Sequence, residues 1–254
     1  MDPATLIGIL VAFGTLFAMI TLEGSYVTAI LLPAPMILVF GATIAVGISG
    51  GTLKDALQAL KALPGAFQGK IAKPQEVIDR IVALAEKARS EGLLSLEQEA
   101  DYADDPFLRG ALQNIADGTD GEELRILLED EIATRARTDR TAAKFFTSMG
   151  GYAPTIGIIG TVVSLTHVLE NLSAPDTLGP LIASAFVATL WGLLSANFLW
   201  LPIGSRLRRL SDLEIERMTL LMEGVLAVQA GSQPRLLGER LRAMVPNDSP
   251  SKAA

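Results

Sequence analysis

Two long stretches of this chain, residues 1–49 and 150–203, contain no lysine or arginine. All 21 basic residues fall in 50–149, which holds 13, or in 204–254, which holds 8. This partition constrains the fold more than any motif does. A soluble domain scatters its basic residues over its surface, whereas a chain that crosses a bilayer collects them on the cytoplasmic side. Half of the residues are hydrophobic and 19% are charged, a balance ordinary for a membrane protein with one polar domain. The net charge is −7 and no basic patch is available for nucleic acid. With no cysteine, disulfide and thiolate chemistry are excluded.

Residues 3–22 form an uncharged run of about 30 Å as a helix, enough to span a bilayer. Asp2 at the start and the lack of a small-x-small site argue against a cleaved signal peptide. A Glu23-Gly24-Ser25 turn leads to a second apolar run, 27–49, in which a helix from Pro35 to Gly51 would reach the lower limit for spanning. The polar region, 52–149, reads as helices only. Thr52–Leu63 is amphipathic and stopped by Pro64-Gly65. Pro74 opens a helix with Val77, Ile78, Ile81, Leu84 and Ala85 on one face, interrupted at Gly92. Phe107–Ala116 follows, and from Glu122 a charged helical pattern runs on through Met149. Nothing alternates with period two, so no sheet is expected.

The third span covers about 152–172, the fourth about 180–203, with Ser173–Gly179 as the loop between them. Arg206, Arg208 and Arg209 mark the cytoplasmic end of the fourth. A helix continues to about Ala230, and Pro246–Ala254 is expected to be disordered. The expected fold is an all-α membrane protein in four parts. Residues 1–51 carry spans one and two, 52–149 a helical cytoplasmic domain, 150–203 spans three and four, and 204–254 a cytoplasmic helix and tail. Both termini are then cytoplasmic.

The third span is unusual in composition. Wound at 100° per residue, Pro154, Gly157, Thr161 and Ser164 share an arc of about 80°. In the fourth, Ala185, Ala188, Thr189, Gly192, Ser195 and Ala196 share about 120°. Small stripes of this kind let backbones approach, or line a path for something polar. Enzyme signatures are absent: no GxxxxGK[ST], GxGxxG or HExxH occurs, and the only histidine, His167, lies at the outer end of a span with Glu170. A cation path needs charge or several oxygens at depth. Thr161, Ser164, Thr189 and Ser195 supply hydroxyls, but no carboxylate lies near the middle of any span. Either the stripes only pack, or a second subunit brings the acid and both stripes face it.

The residue pattern resembles the MotA/PomA family, the larger subunit of the flagellar stator, along essentially the whole chain. The resemblance is carried by Ala4-Thr5-Leu6-x-Gly8, Ala88-Arg89-x-x-Gly92-Leu93-Leu94-Ser95-Leu96-Glu97 and Ala153-Pro154-Thr155-x-Gly157-x-Ile159-Gly160-Thr161-Val162. Gly179-Pro180, Thr189-Leu190-x-Gly192, Pro202 and Gly224-Val225-Leu226-Ala227 follow in the same order. Energy-coupling proteins of the ExbB/TolQ type are less similar, having three spans and a different start. They leave a second function class, energy transduction without a flagellar rotor.

The resemblance implies that five copies surround two copies of a single-span MotB-like partner whose membrane aspartate carries the ion. Ion passage would turn the pentamer, and its cytoplasmic domain would push the rotor switch protein. By position, Arg89 and Glu97 match rotor-contact charges, Pro154 and Pro202 the family's two functional prolines, and Thr161 and Thr189 the ion pathway. No cofactor or metal is implied beyond the transported proton or sodium, and Thr161 leans towards sodium. An inner-membrane location follows from the same likeness.

Overall fold

The computed structural model describes residues 4–69 and 73–246. Among them every regular element is helical. We number them α1 (Ala4–Leu22), α2 (Pro33–Ser49), α3 (Leu53–Gln68), α4 (Pro74–Glu91), α5 (Leu96–Asp101), α6 (Pro106–Ala116), α7 (Gly121–Glu170), α8 (Pro175–Gln229) and α9 (Pro234–Ala243). Three of these, α1, α7 and α8, contain a stretch long and apolar enough to cross a membrane, and α2 is a shorter apolar helix.

The residues pack as two compact units. One comprises Met1–Lys70 and Thr138–Leu210, the other Ile71–Arg137 and Ser211–Ala254, so α7 and α8 each contribute to both. In the first unit, Ala59 and Ala66 of α3 pack with Ala143, Phe146 and Met149 of α7 and Ile203 of α8. A second cluster joins Val39 to Val187, Trp191 and Leu194. The Trp191 Nε1–H donates to the Ile30 carbonyl at 2.6 Å, tying α8 to the 3-10 turn Val27–Ile30 before α2. In the second unit, the expected face of α4 is buried: Val77, Ile78, Ile81, Leu84 and Ala85 face a core that includes Leu108, Leu124 and Val225. Gly224 allows this closeness, since a Cβ there would stand 2.7 Å from Ile81 Cγ2.

The partly buried charges of Arg217 and Glu223 in the second unit are paired. Arg217 binds Glu214 (2.7 Å) and Asp105, and these hydrogen bonds, Glu214 foremost, raise its pKa and keep it cationic. Glu223 receives Arg125 at 3.1 Å and Arg240 at 3.0 Å. The start of α3 is fixed by a capping box: Asp55 N–H donates to Thr52 Oγ1 (3.2 Å) and Thr52 N–H to Asp55 Oδ2 (3.0 Å). Hydrogen bonding from the Thr52 side chain, then its backbone, holds the Asp55 carboxyl below its ordinary range.

Four sequence expectations are corrected. Pro64 does not stop α3, which runs on to Gln68. The carbonyl it leaves without a donor, that of Leu60, belongs to a residue 55% exposed, where another donor can serve it. The loop after α7 is shorter than Ser173–Gly179, because α8 starts at Pro175, a favoured first-turn residue. The second apolar helix begins at Pro33 and ends at Ser49, two residues early at each end. Helix α9 was not foreseen; Leu237 and Leu241 bury its apolar side. The expected disorder of the tail from Asn247 onward lies outside the described residues.

Two π-helical turns interrupt the apolar helices, at Ile37–Gly41 in α2 and at Ser195–Trp200 in α8. In the second, Leu201 N–H reaches back to the Ala196 carbonyl, five residues away, just before Pro202. Such turns add one residue to a helical turn and widen it.

Candidate functional site

The two small-residue stripes meet each other inside this chain. A Cβ on Gly157 would lie 2.9 Å from the Ala188 carbonyl oxygen and 3.1 Å from Gly192 Cα. On Gly192 it would lie 2.8 Å from the Ala153 carbonyl oxygen and 2.9 Å from Gly157 Cα. The helices α7 and α8 are therefore in backbone contact, possible only where both side chains are hydrogen. The contact continues in both directions. Gly160 meets Ala188, Gly150 meets Leu201, and Gly204 meets Ala143 and Thr147. Of the two alternatives for the stripes, packing accounts for much of each: Gly157, Gly160, Ala188 and Gly192 are spent on the facing helix.

At one end of this seam sit the two threonines singled out by sequence. Thr161 Oγ1 lies 3.0 Å from the Ala185 carbonyl oxygen, 3.1 Å from that of Gly157, and in hydrogen-bond contact with Thr189 Oγ1. A hydroxyl has one proton. With Thr161 donating to a carbonyl, Thr189 must donate to Thr161. Both residues are only partly buried. Ser195, by contrast, is fully buried and donates to the Gly192 carbonyl at 3.3 Å. Among the described residues no cluster of histidine or carboxylate side chains could hold a metal ion.

Pro154 is half-buried within α7, which is one helix from Gly121 to Glu170. The carbonyl its missing donor leaves free is that of Gly150, the residue packed on Leu201. Pro202 follows Leu201, so both prolines border the same contact. His167 Nδ1 and Glu170 Oε2 are 2.8 Å apart on exposed side chains at the end of α7, a local pair. Arg89 and Glu97 are not brought to the threonines. They lie in the second unit, exposed and without an ion pair among the described residues. Between them Gly92 turns the chain at φ 85°. Lys87 bridges that turn to Glu99 at 2.7 Å, and this hydrogen bond raises the lysine's pKa.

Sequence reasoning missed two buried polar atoms. Thr43 Oγ1 and Trp200 Nε1 have no hydrogen-bond partner among the described residues. Trp200 is the last residue of one π turn, and Thr43 lies two residues beyond the other. A lone threonine in an apolar run was the available signal for the first.

Residues 99–220 match the MotA/TolQ/ExbB proton channel family, and residues 6–92 match the motility protein A N-terminal family. Motility protein A of Bacillus subtilis is 33% identical over 97% of this chain and 92% of its own length. The chain belongs to the MotA family. Chemotaxis protein PomA of Vibrio alginolyticus is 32% identical over 95% of this chain and 94% of its own. Among solved structures, the flagellar MotAB stator complex from Bacillus subtilis aligns with TM-score 0.89 at 32% identity over 96% of both chains. The C. jejuni MotAB structure aligns with TM-score 0.93 at 25% identity over 98% of both. The MotA likeness thus covers both units, and with it the seam that carries Thr161 and Thr189.

Proposed function

We propose that this chain is the ion-conducting stator subunit of a bacterial flagellar motor, a non-enzymatic protein that turns ion flow into torque with a MotB-like partner. The observation that carries the reading is the near full-length match to a MotAB stator chain. The spans are α1, α2 and the charge-free parts of α7 and α8. Residues 145–166 of α7 carry no charge and cover about 33 Å, in keeping with the bilayer core. The confinement of the basic residues to 50–149 and 204–254 supports cytoplasmic termini in the inner membrane. The parts 1–51, 52–149, 150–203 and 204–254 then alternate between membrane and cytoplasm.

On this reading five copies surround a pair of single-span partners. Thr161 and Thr189 offer hydroxyl oxygens beside the partner's aspartate, which carries the proton or sodium ion. The chain's own lack of a mid-span carboxylate supports a supplied acid. Pro154 and Pro202, bordering one helix contact, couple ion passage to helix movement. Arg89 and Glu97, exposed and without an ion pair among the described residues, meet the rotor switch protein. Energy transduction of the ExbB/TolQ type is the weaker reading, because both PomA and motility protein A match from end to end.

The test of the site is partner dependence. The purified chain alone in liposomes should carry no measurable proton or sodium flux, and co-reconstitution with its partner should produce flux. Flux through the chain alone would remove the need for a supplied acid. A second expectation concerns torque. Arg89→Glu or Glu97→Lys should cut swimming speed severalfold while leaving assembly and ion flux intact. Compensating reversals on the rotor should restore part of it, since charge complementarity sets docking. Normal swimming by both variants across a range of salt would make these residues ordinary surface charges.

A further inference from the structure

Arg89 and Glu97 flank a corner of the second unit that packing alone does not hold. α4 ends at Glu91 and α5 begins at Leu96, joined through Gly92 and the 3-10 turn Leu93–Ser95. Gly92 sits at φ 85°, and a Cβ there would meet nothing within 4 Å. The core grips α4 through Leu84 and Ala85 and α5 through Leu96 and Ala100. Beyond Ala85 only the partly buried Ala88 of α4 packs on that core, and Arg89 lies about 6 Å further along the helix than Ala85.

Among the described residues, one side-chain hydrogen bond joins α4 to α5: Lys87 Nζ donates to Glu99 Oε1 at 2.7 Å. Their side chains are 25% and 33% exposed, so salt screens this pair less than a fully solvated one. Lys87 precedes Arg89 by two residues, and Glu99 follows Glu97 by two. Two residues turn a helix by about 200°. The bridge therefore occupies the facing sides of the two helices, and Arg89 and Glu97, both exposed, stand on the sides turned away from it. One bond thus sets the spacing and the relative angle of the two outward charges.

We infer that Lys87 and Glu99 are positioning residues, whose bridge holds Arg89 and Glu97 at the separation that the rotor switch protein reads. The inference rests on the rotor contact proposed above. Docking through charges depends on their register. A corner already ordered removes an entropy cost that each encounter with the rotor would otherwise carry.

The test uses the full chain with its partner in swimming cells, with ion flux of the same complex in liposomes as the control. Lys87→Met and Glu99→Met should each lower swimming speed about twofold, the size of effect one partly exposed ion pair can exert, with flux unchanged. Lys87→Arg keeps the bridge and should swim as the parent does. The exchanged pair, Lys87→Glu with Glu99→Lys, restores the link with its polarity reversed and should recover most of the lost speed. Amide hydrogen exchange across 92–97 should quicken severalfold in the Met variants and return towards the parent rate in the exchanged pair. Parent-like speed in both Met variants overturns the inference. So does an exchanged pair as slow as the Met variants, which would mark Lys87 and Glu99 as contact charges themselves, and so does lost speed without faster exchange. The rotor reading is tested apart. Normal swimming by Arg89→Glu and Glu97→Lys removes the contact and the positioning with it. Impaired swimming by those two beside parent-like Met variants removes the positioning alone.

Discussion

Gly157→Val should leave almost no assembled protein in the membrane. A Cβ at this position already lies 2.9 Å from the Ala188 carbonyl oxygen and 3.1 Å from Gly192 Cα, and neither backbone atom can rotate away as a side chain could. Gly157→Ala is the graded version. It forces α7 and α8 apart and should cost about 1–3 kcal/mol, the usual range for overpacking. The measurements are the amount of folded protein recovered in detergent and its thermal aggregation midpoint. Gly151→Ala is the matched control, because a Cβ there meets nothing within 4 Å. It should be neutral or stabilise by roughly 0.5–1 kcal/mol, since alanine is the better helix former. Equal stability of Gly157→Ala and the parent would mean that the seam is looser than these distances allow.

The second large effect concerns the ion. We expect Thr161→Ala, expressed with the partner in swimming cells, to lose about tenfold in apparent Na⁺ affinity, which corresponds to ~1.4 kcal/mol. Sodium must exchange water for several oxygens, whereas a proton needs a titratable carboxylate and a route to it. Removing Thr161 also frees Thr189 to bond elsewhere, so the pair is disturbed as a pair. Thr161→Ser keeps the hydroxyl and should retain most of the affinity. Swimming speed is measured against external Na⁺ and against a protonophore. A parent indifferent to Na⁺ and slowed by the protonophore would refute sodium coupling and leave Thr161 a packing role.

Much of the helical framework was readable because its causes are local. The face Val77, Ile78, Ile81, Leu84 and Ala85 repeats at helical spacing, and it is buried as that spacing requires. The charge-free runs identify apolar helices in the same direct way. Proline misled twice, at Pro64 and in the loop before Pro180, because its cost depends on exposure and on distance from the helix start, not on its presence. The stripes on the third and fourth apolar segments were legible as stripes, including Thr161 and Thr189. What they faced was not, because an arc on a helical wheel names a surface without naming its neighbour. The π turns left no periodic trace, so the unpartnered Thr43 and Trp200 atoms beside them emerged only with the coordinates.

The π turn Ser195–Trp200 makes the chain more sensitive to a lost codon than to a changed one. Its extra residue lets Leu201 bond to the Ala196 carbonyl and carries α8 past Pro202 without a break. Deleting any one residue there would leave a respectable α-helix, with every downstream side chain turned by about 100° and drawn back by about 1.5 Å. Gly204 would leave its place against Thr147, and a bulkier neighbour would take it. A screen of substitutions at exposed Asn197 would judge that position tolerant, while single-codon deletions at any of the six positions 195–200 should all be non-motile.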